Sequence, residues 1–232
     1  MIIYRKSYDK FGVKTVMQYD NYGNRFGVPR TIIDKYGSRM EYTLDAWGRI
    51  LTIRGPKEIA ASVPYTIRYQ YNRTVFDAGG AIEQPASTFT YNYDPEYPAN
   101  NIHVYTYSDG LGRIVQTKKD ADVSGTEQMV VSGRVMYDAL GRAVENYYPT
   151  VQSLGDTTYY TGIDGVAPST TQYDILDRPL RQQAPDQTVQ TFAYGFGQDG
   201  AGHILFKTTA VDQRGHPSIV LKDVNDLQWG IK

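Results

Sequence analysis

One short sequence pattern repeats along the whole 232-residue chain. In its clearest form it reads Tyr137-Asp138-Ala139-Leu140-Gly141-Arg142: an aromatic residue, aspartate, two variable residues, glycine and arginine. Near-copies begin at Tyr8, Tyr19, Ile33, Leu44, Asp109, Tyr173 and Val211. Self-similarity at this density predicts a repeat architecture more strongly than any single motif does.

Each copy predicts a tight β-hairpin turn. The aromatic or aliphatic residue ends a strand, and the aspartate can accept a hydrogen bond from the backbone N–H two residues further on. Glycine then supplies a positive φ angle that would strain any side chain. The arginine begins the return strand, where it can form a charge-assisted hydrogen bond with the aspartate. No copy keeps a His, Ser or Cys at a fixed place, so the pattern indicates backbone geometry rather than catalysis.

The residues that carry this signature are Tyr19, Asp20, Gly23, Asp45, Gly48, Arg49, Asp109, Gly112, Arg113, Tyr137, Asp138, Gly141, Arg142, Tyr173, Asp174 and Arg178. Some copies depart from the pattern. Asp177 occupies the glycine position of the Tyr173 copy, and aspartate tolerates the left-handed backbone region. Asn24 and Ser38 precede the arginine in two other copies, which predicts a return strand longer by one residue, or a β-bulge.

The segments between the copies predict strands. Tyr65 to Tyr71 and Phe89 to Tyr93 alternate between aromatic or aliphatic and polar residues, which is the period of a sheet with two unlike faces, one of them rich in tyrosine. Helical composition is limited to Lys57–Ala61 after Pro56. We therefore expect an all-β fold in which repeated hairpins form an extended, twisted antiparallel sheet. A β-sandwich is the alternative, because the two share their turn signals.

The spacing of the copies predicts three segments of one continuous array. Residues 1–56 hold short hairpins, residues 57–106 form a connecting segment with aromatic strands and long turns, and residues 107–232 hold longer hairpins. Leu227–Lys232 ends the chain within the pattern, without the polar cap that repeat arrays usually carry. This ending predicts that the chain is a fragment of a larger protein.

Charge and composition exclude several classes of function. Lys and Arg total 24 against 25 Asp and Glu, and the basic residues are scattered, so nucleic acid is not expected as a partner. Without cysteine, the chain has no disulfide framework and no thiolate metal site. No stretch approaches the length of a membrane span, and Met1–Lys6 lacks the apolar segment of a signal peptide.

No cofactor or metal site is predicted. Gly195–Gly200 matches a dinucleotide-binding glycine pattern, but the strand-like Ala201–Lys207 follows where that motif requires a helix, so we interpret it as a hairpin loop. Asp20–Asn24 lacks the alternating acidic ligands and distal glutamate of a calcium loop. The three histidines, His103, His203 and His216, are far apart in sequence and form no catalytic motif.

Exposed aromatic residues leave a carbohydrate-binding hypothesis open. Tyr69 and Tyr91 are the candidates for stacking on a sugar ring, although packing between strands is the preferred explanation of such residues. A glycosidase is a third hypothesis, since it would need only a pair of carboxylates. The candidate carboxylates are Asp186, Asp199, Asp212, Asp223 and Asp226, and turns already account for them.

The repeated pattern resembles the YD repeat of the RHS family of bacterial proteins. The stretch Asp109–Thr117, followed by Tyr137–Arg142 and Tyr147-Tyr148-Pro149, is similar to the shell region of RHS-repeat toxins, including the B components of insecticidal toxin complexes. This resemblance implies a β-sheet strip that spirals into a hollow shell around a C-terminal toxin. The self-cleavage motif of that family is not matched, because Asp94-Pro95 lacks the following glycine and precedes further repeats.

From the resemblance we expect a structural shell segment, not an enzyme, secreted or at the bacterial cell surface, with its export signal elsewhere. Its expected partners are the remaining repeats and the C-terminal cargo of a parent protein, with cell-surface carbohydrate as a further candidate. A cell-surface adhesion or carbohydrate-binding array is the alternative function.

Overall fold

The protein is built almost entirely from antiparallel strands, as the sequence predicts. The computed structural model describes residues 3–20, 25–98, 101–163 and 165–231, with the side chains of 229–231 outside the description. The predicted all-β fold of extended antiparallel sheets is confirmed. The short helix α1 (Pro56–Ala60) lies where the composition indicated it.

The chain divides into two compact units, residues 1–130 with 152–159, and residues 131–151 with 160–232. These units are defined by which residues contact each other, whereas the three segments expected from the sequence were defined by the lengths of the hairpins. The division into three segments therefore stays a prediction. None of the described helices is long and apolar enough to span a membrane.

The first unit contains most of an 11-stranded sheet. Its strands are β1 (Ile3–Tyr8), β2 (Lys14–Tyr19), β3 (Thr31–Ile33), β4 (Arg39–Leu44), β5 (Ile50–Arg54), β6 (Ile67–Asn72), β9 (Ala86–Asn92), β10 (Ile102–Ser108), β11 (Ile114–Val123), β12 (Thr126–Ser132) and β15 (Thr150–Gln152), in that order across the sheet. A separate two-stranded sheet pairs β7 (Val75–Phe76) with β8 (Ile82–Gln84).

The second unit contains an 8-stranded sheet. Its strands, again in spatial order, are β13 (Val135–Tyr137), β14 (Ala143–Asn146), β16 (Ser169–Tyr173), β17 (Pro179–Gln183), β18 (Val189–Gln198), β19 (Ile204–Val211), β20 (Pro217–Lys222) and β21 (Gln228–Ile231). From β16 onward each strand pairs with the next one in sequence, so most contacts are local hairpin contacts.

The best-buried part of the first unit lies on one face of β10, β11 and β12. Tyr107 is 1% exposed and Lys118 is fully buried. Residues 152–159 contact this face: the Tyr107 hydroxyl donates to the carbonyl oxygen of Thr157 at 2.7 Å, and Lys118 Nζ donates to the carbonyl oxygen of Asp156 at 3.2 Å. A tyrosine hydroxyl and a lysine amine are therefore satisfied inside the core by the backbone of this segment.

Candidate functional site

The hairpin turn that joins β13 to β14 has the structure that the sequence predicts. The backbone N–H of Asp138 donates to the carbonyl oxygen of Arg142, and that of Gly141 donates to the carbonyl oxygen of Asp138, both at 2.9 Å. Gly141 has a φ of 82°. A type I turn followed by a left-handed glycine in a bulge has this pattern, and the pairing of β13 with β14 shifts register beside Tyr137.

The Asp138 carboxylate holds this turn together. Its Oδ1 accepts hydrogen bonds from the backbone N–H groups of Leu140 at 2.9 Å and Arg142 at 3.0 Å, and Oδ2 accepts one from Arg142 Nε at 2.7 Å. The backbone N–H of Arg142 and its side chain stabilise the charged carboxylate and lower the pKa of Asp138 below its usual value. Both oxygens thus bind the chain's own donors.

The same backbone bonds and the same Oδ1 contacts recur along the chain. The aspartates that make them are Asp9, Asp34, Asp45, Asp77, Asp109, Asp138, Asp174, Asp199, Asp212 and Asp223. The signature residues Asp45, Gly48 and Arg49 lie between β4 and β5, and Asp109, Gly112 and Arg113 lie between β10 and β11. The turn of Tyr173, Asp174 and Arg178 joins β16 to β17 and places Asp177 at a φ of 62°, as predicted.

Three of these turns, those of Asp77, Asp199 and Asp223, are not among the near-copies identified from the sequence. Asp199 follows Gln198 and Asp223 follows Lys222, where the pattern has an aromatic or aliphatic residue, and Ala81 stands in the arginine position after Asp77. The interpretation of Gly195–Gly200 as a hairpin loop is wrong for its first four residues, which belong to β18 and pair with β19, and only Asp199 and Gly200 lie in the turn. An aspartate three residues before a glycine or a second aspartate is the signal that finds all three.

Two copies differ from their predicted form. Ser38 does not lengthen the return strand: it takes the place of the arginine, with its N–H 2.8 Å from Asp34 Oδ1, while Arg39 pairs with Glu41 at 2.6 Å. The Tyr19 copy is not a tight turn, because the connection from β2 to β3 runs over residues 20–30. Its Asp20 pairs with Arg30 at 2.9 Å, and Gly23 lies outside the described residues.

The arginine that follows a turn also contacts a tyrosine of another strand. The Arg142 guanidinium lies over the Tyr173 ring, 5.1 Å from its centroid, and the Tyr173 hydroxyl donates to the carbonyl oxygen of Ala143 at 3.0 Å. The same arrangement joins Arg178, Tyr194 and the Pro179 carbonyl, and Arg49, Tyr71 and the Ile50 carbonyl. We call each set a tyrosine latch. The latch was not predicted, because its two halves are distant in sequence.

Arg142 in addition connects two neighbouring turns. Its Nη1 donates to the carbonyl oxygen of Asp174 at 2.7 Å and to Asp177 Oδ1 at 3.0 Å. One guanidinium therefore binds the aspartate of its own turn and the backbone of the next turn, at the same end of the strands. Arginine suits this role since its donors point in several fixed directions in one plane.

The candidate sugar-stacking residues do not share a surface. Arg68 lies opposite Tyr91 across β6 and β9, whereas Tyr69 lies opposite Thr90. Because successive residues of a strand point to opposite faces, Tyr69 and Tyr91 lie on different faces of the sheet. The expectation of one tyrosine-rich face was therefore wrong for this pair. One side of the Tyr91 ring is covered by the Arg68 guanidinium, 4.1 Å from its centroid.

Two of the three histidines lie in the repeated turns, whereas His103 lies in β10, with its Nδ1 3.3 Å from Asp120 Oδ2. His203 and His216 occupy the arginine position of the Asp199 and Asp212 turns, with Nδ1 at 2.7 and 3.3 Å from the Asp Oδ2 atoms. The hydrogen bond with His203 lowers the pKa of Asp199. Within the described ranges, no group of three or more His, Asp or Glu side chains is arranged to hold a metal ion.

The fold and the repeated turn define an antiparallel hairpin-repeat protein. Residues 83–197 match the model of a domain of unknown function, DUF6443. No curated protein matches the sequence.

Solved structures match nearly the whole chain. TcdB2-TccC3 without its hypervariable C-terminal region is 17% identical with a TM-score of 0.70 over 96% of this chain, and TcdB2-TccC3 is 18% identical with a TM-score of 0.66 over 97%. A Tc holotoxin pore of Photorhabdus luminescens is 14% identical with a TM-score of 0.56 over 95%. The chain spans only 15%, 15% and 16% of those chains, respectively. At these identities the similarity establishes the fold.

Proposed function

We propose that the chain is a wall segment of an RHS-type shell that encloses a C-terminal toxin or effector. The observation that carries this proposal is the similarity to TcdB2-TccC3 over 96% of the chain at a TM-score of 0.70. The YD-type signature supports the same assignment independently, because it rests on the turn residues of the sequence alone.

The contacts within the repeats support a structural role rather than catalysis. The acids of the turns bind backbone N–H groups, the arginines bind those acids, and the tyrosine hydroxyls of the latches bind backbone carbonyls. Side chains used in this way fix one hairpin to the next, which is what a continuous wall requires. We therefore propose that this segment is not an enzyme, and that its partners are the other repeats and the enclosed cargo of a secreted protein.

Protection of the cargo tests the proposal. The full-length product of the gene is treated with a nonspecific protease, and cleavage of the region after the repeats is followed over time; the control is that region expressed alone. We expect the region to be cut much more slowly in the intact protein, and to lose its protection in urea concentrations that unfold the repeats. Equal cleavage rates in native buffer would contradict a container.

A glycan-binding screen distinguishes a cell-surface carbohydrate-binding protein from a shell segment. The immobilised glycans are probed with the chain and with the Tyr69→Ala and Tyr91→Ala variants. No contact among the described residues favours this alternative, and the two rings lie on different faces of the sheet. Binding to a defined sugar that either variant abolishes would replace the shell proposal by the adhesion one.

A further inference from the structure

The turns at one end of the 8-stranded sheet expose large apolar side chains. Successive hairpin turns of an antiparallel sheet alternate between its two ends, so the turns that follow β13, β16, β18 and β20 lie at the same end. At this end Leu140 is 72% exposed, Ile175 94%, Leu176 65% and Val224 88%. We call these four residues the apolar turn row.

The opposite end of the same sheet is polar. The turns that follow β17 and β19 expose Asp186, Gln187, Gln213 and Arg214. The turns at both ends close with the same pair of backbone hydrogen bonds, so the backbone does not require apolar side chains at either end. Single exposed apolar residues are ordinary on a protein surface, but a set confined to one end indicates a surface that contacts another one.

The charges beside the apolar turn row are already paired with each other. Arg142 binds Asp138 at 2.7 Å and Asp177 at 3.0 Å, and Arg178 binds Asp174 at 2.6 Å. A surface that covers this end therefore has no free charge to neutralise, and a charge of its own would lose water without gaining a partner. The matching surface is one that supplies apolar side chains.

The area of the row indicates how its partner is attached. At about 60–120 Å² for each aliphatic side chain, the four residues offer roughly 250–500 Å² of apolar surface. Each partner of a stable complex buries about 800 Å², and separate molecules also lose translational and rotational freedom when they associate. The row is therefore too small for a stable complex between separate molecules. It suits a contact within one polypeptide, where covalent linkage keeps the effective concentration high.

Other hairpin turns of the chain carry the same feature. In the first unit, the position two residues after the turn aspartate is also apolar and 62–80% exposed, and its residues are Phe11, Tyr36, Trp47 and Leu111. This repeat type therefore places an apolar side chain at this position regularly. Neighbouring hairpins space such side chains two strands apart, about 10 Å. A second row of hairpin turns has the same spacing and can place its apolar residues between those of the first.

We propose that the apolar turn row packs against a second row of hairpin turns in the same parent polypeptide. This inference rests on the proposed function, since it requires hairpin repeats beyond this chain. The tyrosine latches join neighbouring hairpins within one stretch of the wall, whereas the apolar turn row joins one stretch of the wall to another.

Thiol labelling tests the proposal, because the chain has no cysteine of its own. Leu140→Cys and Leu176→Cys each place one thiol in the row, and the control Arg214→Cys places one at the same turn position of the opposite end. Labelling by 5,5′-dithiobis(2-nitrobenzoic acid) is timed in this chain and in the full-length product of the gene, with any other cysteines replaced by serine. We expect the two row thiols to react at least about tenfold more slowly in the full-length protein, and the control thiol to react at the same rate in both.

Three labelling results would overturn the proposal. The first is an equal rate in both proteins at Leu140→Cys and Leu176→Cys. The second is equal slowing at Arg214→Cys, which would show that the whole segment is covered rather than this end. The third is slower labelling of the row thiols in this chain alone as its concentration rises, which would identify a second copy as the partner.

Photo-crosslinking identifies the segment that covers the row. Benzophenone-4-maleimide is attached to Leu176→Cys in the full-length protein, and the cross-linked peptide is sequenced by mass spectrometry after irradiation. We expect a peptide that contains another hairpin turn of the repeat type, and a peptide from the region after the repeats would overturn the proposal. The shell function is tested separately by cargo protection: protected cargo with unchanged thiol rates would reject the turn contact and retain the shell, and slowed thiols with unprotected cargo would do the reverse.

Discussion

Removing one hydroxyl group from a tyrosine latch should destabilise the first unit measurably. In Tyr71→Phe the ring remains over the Arg49 guanidinium, 4.2 Å from its centroid in the native protein, but the 2.8 Å hydrogen bond to the Ile50 carbonyl is lost. Burial of this hydroxyl raises the pKa of Tyr71, which agrees with a group that is partly removed from water. The substitution therefore isolates the hydrogen bond from the packing of the ring.

The expected size follows from the net value of such a bond. A hydrogen bond within a protein contributes about 0.5–1.5 kcal/mol to the free energy of unfolding, and loss of the donor also leaves a partly buried carbonyl less well satisfied. With a urea m value of about 3 kcal/mol/M, which suits a chain of this size, the unfolding midpoint should fall by about 0.2–0.5 M.

Tyr69→Phe is the matched control. Tyr69 lies two residues away on the same face of β6, and its hydroxyl makes no hydrogen bond to the described part of the protein. We expect its midpoint to stay within error of the wild-type value. Urea unfolding monitored by circular dichroism compares the three proteins at equal m value; equal midpoints for Tyr71→Phe and the wild type would refute the latch as a stabilising contact.

Three further perturbations test the turns and the core. Gly141→Val forces a β-branched side chain to a φ of 82° and should cost about 1–3 kcal/mol in urea unfolding, whereas Ala139→Ser should be nearly silent; equal tolerance would mean that the turn is wrongly described. The native pKa of Asp138 is lowered, so the charged carboxylate stabilises the fold fully above its unfolded pKa of about 3.9, and this stabilisation is lost as the pH falls through the native pKa. Asp138→Asn should therefore reduce the change in the free energy of unfolding between pH 7 and 2. An unchanged pH dependence would contradict the role of this carboxylate in the turn. Tyr107→Phe removes the 2.7 Å bond to Thr157 and should speed hydrogen exchange of the Tyr159 amide, which donates to Gln84 Oε1; unchanged exchange would show that this bond does not hold residues 152–159 in place.

The turns could be predicted from the sequence because their causes are local. In the ten described turns an aspartate binds the N–H groups two and four residues ahead, and the residue three positions after it accepts a positive φ. The Tyr19 copy has the same residue types and is not a tight turn, so the pattern favours a hairpin without always producing one. Because the causes are local, Ser38 could replace the arginine without changing the turn length. The prediction went wrong there because it treated the arginine as part of the turn, whereas the backbone bonds are made without it.

Contacts between distant residues could not be predicted in this way. The latch between Arg49 and Tyr71 depends on which strands become neighbours, and so does the contact of residues 152–159 with Tyr107. The separation of Tyr69 from Tyr91 depends on the pairing register of β6 and β9, since a shift of one residue would have placed them on the same face. Register is a property of the assembled sheet and is absent from the repeat pattern.

Imaging the full-length product of the gene by single-particle cryo-electron microscopy tests the shell function most directly. We predict that this segment forms part of a closed β-sheet wall around a lumen, and that the lumen contains density for another part of the chain. An extended array with both sheet faces open to solvent, and no enclosed density, would contradict the account.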